Sequence, residues 1–104
     1  MGKKQIRKAL EIFTARAKKE LQAEQVILFG SYAKDAATEY SDVDVAVLSN
    51  VFSHIPQEER LDVLYPLTAD LSPDFHPFGF TPEEFAKARK TSTLFEIKTN
   101  GIPL

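Results

Sequence analysis

From Lys3 to about Ala23, apolar side chains recur at Ile6, Leu10, Phe13, Ala17 and Leu21, with charged and amide residues filling most of the gaps. Spacing of three to four residues winds one apolar stripe around a helix, so a first amphipathic helix is predicted. The period then breaks. Val26 to Phe29 form an unbroken apolar run closed by Gly30, the pattern of a strand covered on both faces. "SYAKDAAT" is compatible with a helix of no more than about two turns. In "DVDVAVLS" the alternation is strict: Val43, Val45 and Val47 share one face of a strand, and Asp42, Asp44, Ala46 and Leu48 share the other.

Further along, Pro56 suits the start of a helix whose buried stripe would be Leu61, Leu64, Leu67 and Leu71. "PDFHPFGF" reads as a third extended segment, and Pro73 and Pro77 assign it to a sheet edge or an irregular strand. "TPEEF" carries a capping box, with Thr81 as N-cap, Pro82 at the first helical position and Glu84 three residues after the cap. A short terminal helix follows, packing Leu94, Phe95 and Ile97 inward and ending at Gly101. The predicted order is helix, strand, helix, strand, helix, strand, helix, helix, an α/β (α+β) arrangement.

At 104 residues and 43% hydrophobic composition, the chain suits a single domain, 1–104, with one core. No cysteine is present, which excludes disulfides, thiolate metal sites and a cysteine nucleophile. No apolar run resembles a signal peptide or a membrane span, so a soluble, cytoplasmic protein is expected. Net charge is -2, yet Lys3, Lys4, Arg7, Lys8, Arg16, Lys18 and Lys19 crowd the first twenty positions. That face reads first as a solvated helix surface, and direct binding of nucleic acid is disfavoured because interleaved aromatics are missing.

Asp42 and Asp44 change the picture. Carboxylates at i and i+2 on a strand project from one face and can converge on a single cation. Unpaired, each would be costly in a low-dielectric setting, and a hard divalent ion such as Mg²⁺ relieves both the desolvation and the repulsion. The plainer alternative is a pair at an exposed strand start, with Asp42 capping a turn beside Ser41. Ten residues upstream of the segment that begins at Ser41, Gly30-Ser31 ends the first apolar strand. Glycine admits close backbone approach, and a helix beginning there would offer N–H groups and a serine hydroxyl to a phosphate. A phosphate cradle beside paired carboxylates describes a metal–nucleotide site.

The residues "FGSYAKDAATEYSDVDVAVL" resemble the DNA polymerase beta-like nucleotidyltransferase superfamily, and most closely its minimal nucleotidyltransferase branch. The resemblance implies a small mixed sheet of three to four strands flanked by helices. It implies NMP transfer, AMP from ATP or another NTP, to a hydroxyl acceptor, with two Mg²⁺ ions held by three carboxylates. Carried over by position, Gly30, Ser31 and Lys34 would meet the nucleotide phosphates, and Asp42 and Asp44 would be the first two metal ligands. Asp74 is preferred to Asp70 as the third. The resemblance also implies a HEPN-domain protein as partner, with this chain as the antitoxin of the pair, and leaves self-association open.

Many relatives carry Arg-Gly where this chain has Lys34-Asp35. Lysine supplies charge without arginine's two-pronged geometry, and a carboxylate at 35 would repel a triphosphate unless it turned outward. A second function therefore stands beside the enzyme: a catalytically silent module that binds nucleotide or partner by contact. His76, on Asp74's face, reads as a hydrogen-bonded strand histidine or an auxiliary ligand, and His54 as solvated. Phe75, Phe78 and Phe80 read as core or interface before a base-stacking cluster, and Tyr32 likewise.

Overall fold

The computed structural model describes residues 2–104. Helix α1 (Lys3–Leu21) buries the predicted stripe of Ile6, Leu10, Phe13, Ala17 and Leu21. It starts where Gln5 Oε1 accepts the Gly2 N–H at 2.7 Å, and it ends as Gln22 turns into the left-handed region. Strands β1 (Gln25–Phe29) and β2 (Val43–Leu48) pair antiparallel, and β3 (Phe75–Phe80) lies parallel to β2. Two closing residues, β4 (Ile102–Pro103), add antiparallel to β1 and give a mixed four-stranded sheet ordered β3-β2-β1-β4.

Alternation along the strands sorts the core into two layers. Val26, Leu28, Val43, Val45, Val47 and Phe75 pack with α1 on one face of the sheet. Ile27, Ala46 and Leu48 meet Ile97 of α4 (Thr93–Asn100) on the other, with Phe29, Phe80 and Leu94 packed around them. The aromatic trio of the third strand is accordingly split. Phe75 stacks on Phe13 at 5.3 Å in the first layer, and Phe78 meets Phe29 at 5.4 Å in the second.

Two predicted elements differ, and one strand was not predicted. Residues 31–35 form a turn rather than a helix: the Ala36 N–H bonds back to Ser31 O at 2.9 Å, and Asp35 adopts a left-handed φ of 57° that a helix cannot continue. The leucine-striped helix is broken into α2 (Arg60–Leu64) between 3-10 turns at Gln57–Glu59 and Tyr65–Thr68. Pro66 has no N–H to extend the ladder. Leu64 and Leu67 are buried as predicted, but Leu61 is 45% exposed because the adjacent Arg60 takes the inward place. The two residues of β4 are too few to reveal a strand period.

Helix α3 (Pro82–Ala86) begins at the predicted capping box: Thr81 N–H donates to Glu84 Oε1 at 2.8 Å and Glu84 N–H donates to Thr81 Oγ1 at 3.0 Å. Gly101 caps α4 for lack of space, since a Cβ there would collide with Ile27 Cγ2 and the Ile97 carbonyl. Among the described residues no helix is long and apolar enough to cross a membrane.

Candidate active site

Strand directions gather the chemistry at one end of the sheet. The C-terminal end of β1 meets the N-terminal end of β2, which lies beside that of β3. Gly30-Ser31, Asp42, Asp44, Asp74 and His76 all come to this end. Asp44 sits within β2, paired with Phe29 on one side and His76 on the other. Its outward face is the one covered further along by Ile97, so it lies at the margin of the second layer, with its side chain 26% exposed.

Gly30 is fitted to that carboxylate. Its φ of 75° favours glycine, and a Cβ there would fall on Asp44 Oδ2. The β1 terminus and the Asp44 side chain therefore share a space that admits only a backbone. Burial pushes the Asp44 carboxyl above the ordinary carboxylate range, His76 draws it back, and the negative charge of Asp42 raises it further. Asp42 itself is exposed just before the strand.

The remaining expected residues are placed as follows. Ser31 opens the turn after Gly30, half-buried, and its backbone carbonyl closes that turn. Lys34 Nζ donates to Glu96 Oε1 of α4 at 2.8 Å, so its charge is engaged by a carboxylate. Asp35 turns away from the aspartate pair toward α1, within 3.3 Å of Lys3 Nζ, which removes the repulsion its position threatened. Tyr32 is fully buried, so its ring belongs to the core rather than to a stacked base.

Asp74 accepts the Val43 N–H through its backbone carbonyl at 2.8 Å, and lines a cavity of about 540 Å³ together with Asp62, Asp70 and Tyr65. The side chain next to Asp44 on β3 is instead His76, whose Nδ1 is 3.6 Å from Asp44 Oδ1. No sequence period reveals that neighbour, because it depends on the register between β2 and β3. Among the described residues no three histidine, aspartate or glutamate side chains cluster closely enough to hold one ion.

Asp42 and Asp44 nevertheless suit one divalent cation. Hard carboxylate oxygens share a strand face, and the backbone opposite Asp44 is cut back to glycine. Among the described residues no third carboxylate is grouped with these two as a metal site, although Asp74 borders Asp42 where β3 begins beside β2. Space at this end is also small: the cavity between the Gly30 turn and α4 measures about 110 Å³, well below the several hundred that a nucleotide-sized ligand fills. A larger cavity of about 580 Å³ lies between α1 and β4, lined by Leu10, Leu28 and Ile102, and contains none of these site residues.

A mixed four-stranded sheet with helices on both faces and an Asp-x-Asp strand beside a Gly-Ser turn defines a nucleotidyl-transfer architecture. The chain belongs to the nucleotidyltransferase domain family, which matches residues 6–100. In structure it is similar to a candidate nucleotidyltransferase from Sulfolobus solfataricus, known from a crystal structure at 1.40 Å resolution. The TM-score is 0.69 at 12% identity, over 95% of this chain and 78% of that one, a likeness of fold. No curated protein matches the sequence.

Proposed function

We propose that this nucleotidyltransferase domain moves a nucleoside monophosphate, AMP from ATP, onto a hydroxyl of a partner protein. The observation that supports this most directly is Asp44 pressed against Gly30. A carboxylate kept half-buried beside a second aspartate is costly for the fold, and the backbone opposite it is a glycine that leaves it room. Asp42 and Asp44 would hold a divalent cation such as Mg²⁺, which when bound offsets phosphate charge and makes an acceptor hydroxyl easier to ionise.

The chain's own residues bind and orient. The Gly30-Ser31 turn lies within reach of a phosphate, with the Ser31 hydroxyl as donor. In the transfer, the acceptor oxygen bonds to the α-phosphorus, the α–β bridging bond breaks, and pyrophosphate leaves with the electron pair while the hydroxyl proton passes to water. Lys34 would exchange Glu96 for the triphosphate as nucleotide enters. Because the cavity at this end is small, the acceptor protein would complete the walls. A HEPN-domain protein silenced by this modification is the partner we favour, with this chain as its antitoxin in the cytoplasm.

The test is label transfer from α-labelled ATP with Mg²⁺ or Mn²⁺, with and without the protein encoded by the adjacent gene. Wild type should label the partner, and Asp44→Asn should label it at least ~100-fold more slowly. The silent binding module is supported by two observations: Lys34 is paired with Glu96, and no third carboxylate joins Asp42 and Asp44. It prevails if neither protein labels the partner while both bind it equally.

A further inference from the structure

The two edges of the sheet carry surfaces of opposite kind. At the β4 edge, the groove of about 580 Å³ between α1 and β4 has an apolar floor of Leu10, Leu28, Ile102 and Leu104. Its rim is basic, with Lys3, Lys4, Arg7 and Lys18 standing around it against one acid, Glu11. Lys3 and Arg7 are engaged by Asp35 and Glu11, whereas Lys4 and Lys18 are exposed and form no ion pair among the described residues. A space of this size takes several large side chains. An added strand does not suit it. Leu104 directs its N–H inward to Val26 O, which turns Pro103, lacking an N–H, to the outer edge.

At the β3 edge, α2 and its flanking 3-10 turns present the converse. Leu61 and Tyr65 are 45% and 63% exposed, and four residues apart they share one outward face. Glu58 and Asp62 flank them, both exposed and in no ion pair among the described residues. This makes an apolar ridge edged with acid, and Arg60 fixes it to β3 through Gly79 O. The sheet order β3-β2-β1-β4 sets ridge and groove at opposite edges, so within one chain they cannot meet.

We propose that the ridge of one copy seats in the groove of the next, so that the chain associates with itself head to tail. Charge complementarity selects this occupant: unpaired carboxylates flank the apolar ridge, and unpaired lysines flank the apolar groove. Such a contact is heterologous, and copies add one after another until a ring closes or a filament runs on. Asp62 and Tyr65 also line the cavity that contains Asp74, so each seated neighbour covers that flank of the candidate site. Nucleotidyl transfer is not needed for this contact.

The test is analytical ultracentrifugation of the untagged, full-length protein over a concentration series. Wild type should associate with a Kd on the order of 0.1 mM, the strength of a small transient contact, and pass beyond dimer mass as concentration rises. Raising salt from about 0.05 M to about 0.5 M should weaken the association at least ~3-fold. Glu58→Lys/Asp62→Lys and Lys4→Glu/Lys18→Glu should each weaken it at least ~10-fold. These four side chains are exposed and unpaired, so neither variant takes a contact from the fold. An equimolar mixture of the two should restore association, because every ridge then meets a groove of opposite charge. Leu61→Ser/Tyr65→Ser mixed with Lys4→Glu/Lys18→Glu should stop at a heterodimer, since one intact groove and one intact ridge remain. Wild type that stays monomeric at ~1 mM overturns the proposal and leaves the groove to an acidic helix of another protein. It is overturned equally if the charge-reversed variants associate as wild type does, if their mixture stays monomeric, or if the last mixture grows past two copies.

Discussion

Gly30 has no room for a side chain, and the obstacle is the Asp44 carboxylate, the group proposed above to hold a cation. Gly30→Ala should cost at least ~2 kcal/mol, from the left-handed φ together with the collision. In an Asp44→Ala background the collision is gone and only the backbone penalty remains. Urea unfolding of the four proteins of this cycle should therefore give a coupling of about 1 kcal/mol or more, and additive costs would disprove the fit. Asp44→Asn removes a partly buried charge that repels Asp42, so it should raise apo-protein Tm at neutral pH by a few degrees while eliminating transfer. Tyr32 offers a contrasting case, because its buried hydroxyl has no hydrogen-bond partner among the described residues. Tyr32→Phe should stabilise the chain by about 1 kcal/mol, measured by the same unfolding. The strand alternation made Asp42 and Asp44 legible in the sequence, and the apolar run made Gly30 legible. His76 was legible as a strand histidine on Asp74's face, but its place beside Asp44 was not, because that depends on the register of two strands about thirty residues apart.

Arg60 shows how an edge strand is secured. Backbone carbonyls of alternate residues in β3 point away from β2, and Gly79 O accepts from Arg60 Nη1 at 3.1 Å. Pro77, on the same outward parity, presents no N–H at that edge. The guanidinium also donates to Ile55 O at 3.0 Å, Phe52 O at 2.9 Å and Glu84 Oε1 at 2.7 Å. One side chain thereby ties α2, the turn at Asn50–His54, β3 and α3 together, and blunts an edge open to stray pairing. The same Glu84 completes the capping box of α3. Arg60→Met should cost about 3 kcal/mol, since three carbonyls lose their donor as Glu84 loses its partner. Hydrogen bonding from Arg60 holds the Glu84 carboxyl below the ordinary value of 4.5, with Thr81 contributing. A lowered folded-state pKa means stability that is complete above that ordinary value and fades as pH falls through the folded one. Thermal melts from pH 7 to pH 3 should show a shallower acid decline in Glu84→Gln than in wild type. The capping box was plain in "TPEEF". The inward arginine was hidden, because the leucine period around it suggested a longer, regular helix.

At the scale of the whole molecule, the helix and strand types followed from hydrophobic period, while the location of the site followed from strand order. Three strands were readable, and their ends converge only because β1 and β2 are antiparallel while β2 and β3 are parallel. The fourth strand escaped notice, although the sheet depends on it: Ile102 and Pro103 pair with Leu28 and Ile27, and the Leu104 N–H donates to Val26 O at 2.8 Å. Without it β1 becomes an open edge one strand away from Asp44, bordering the apolar cavity lined by Leu10 and Leu28. A chain ending at Gly101 should therefore lose stability and self-associate through that exposed strand. Thermal melting should show a Tm lower by about 5 °C or more, and light scattering a concentration-dependent rise in mass. Because β2 stands between the β1 edge and β3, the pairing of Asp44 with His76 should survive in the soluble fraction. Retention of native backbone amide signals along β2 and β3 by the truncated monomer, alongside its lowered Tm, would separate the sheet's Asp44 side from the side that closes it. Loss of both together would mean that β4 holds the whole sheet in register.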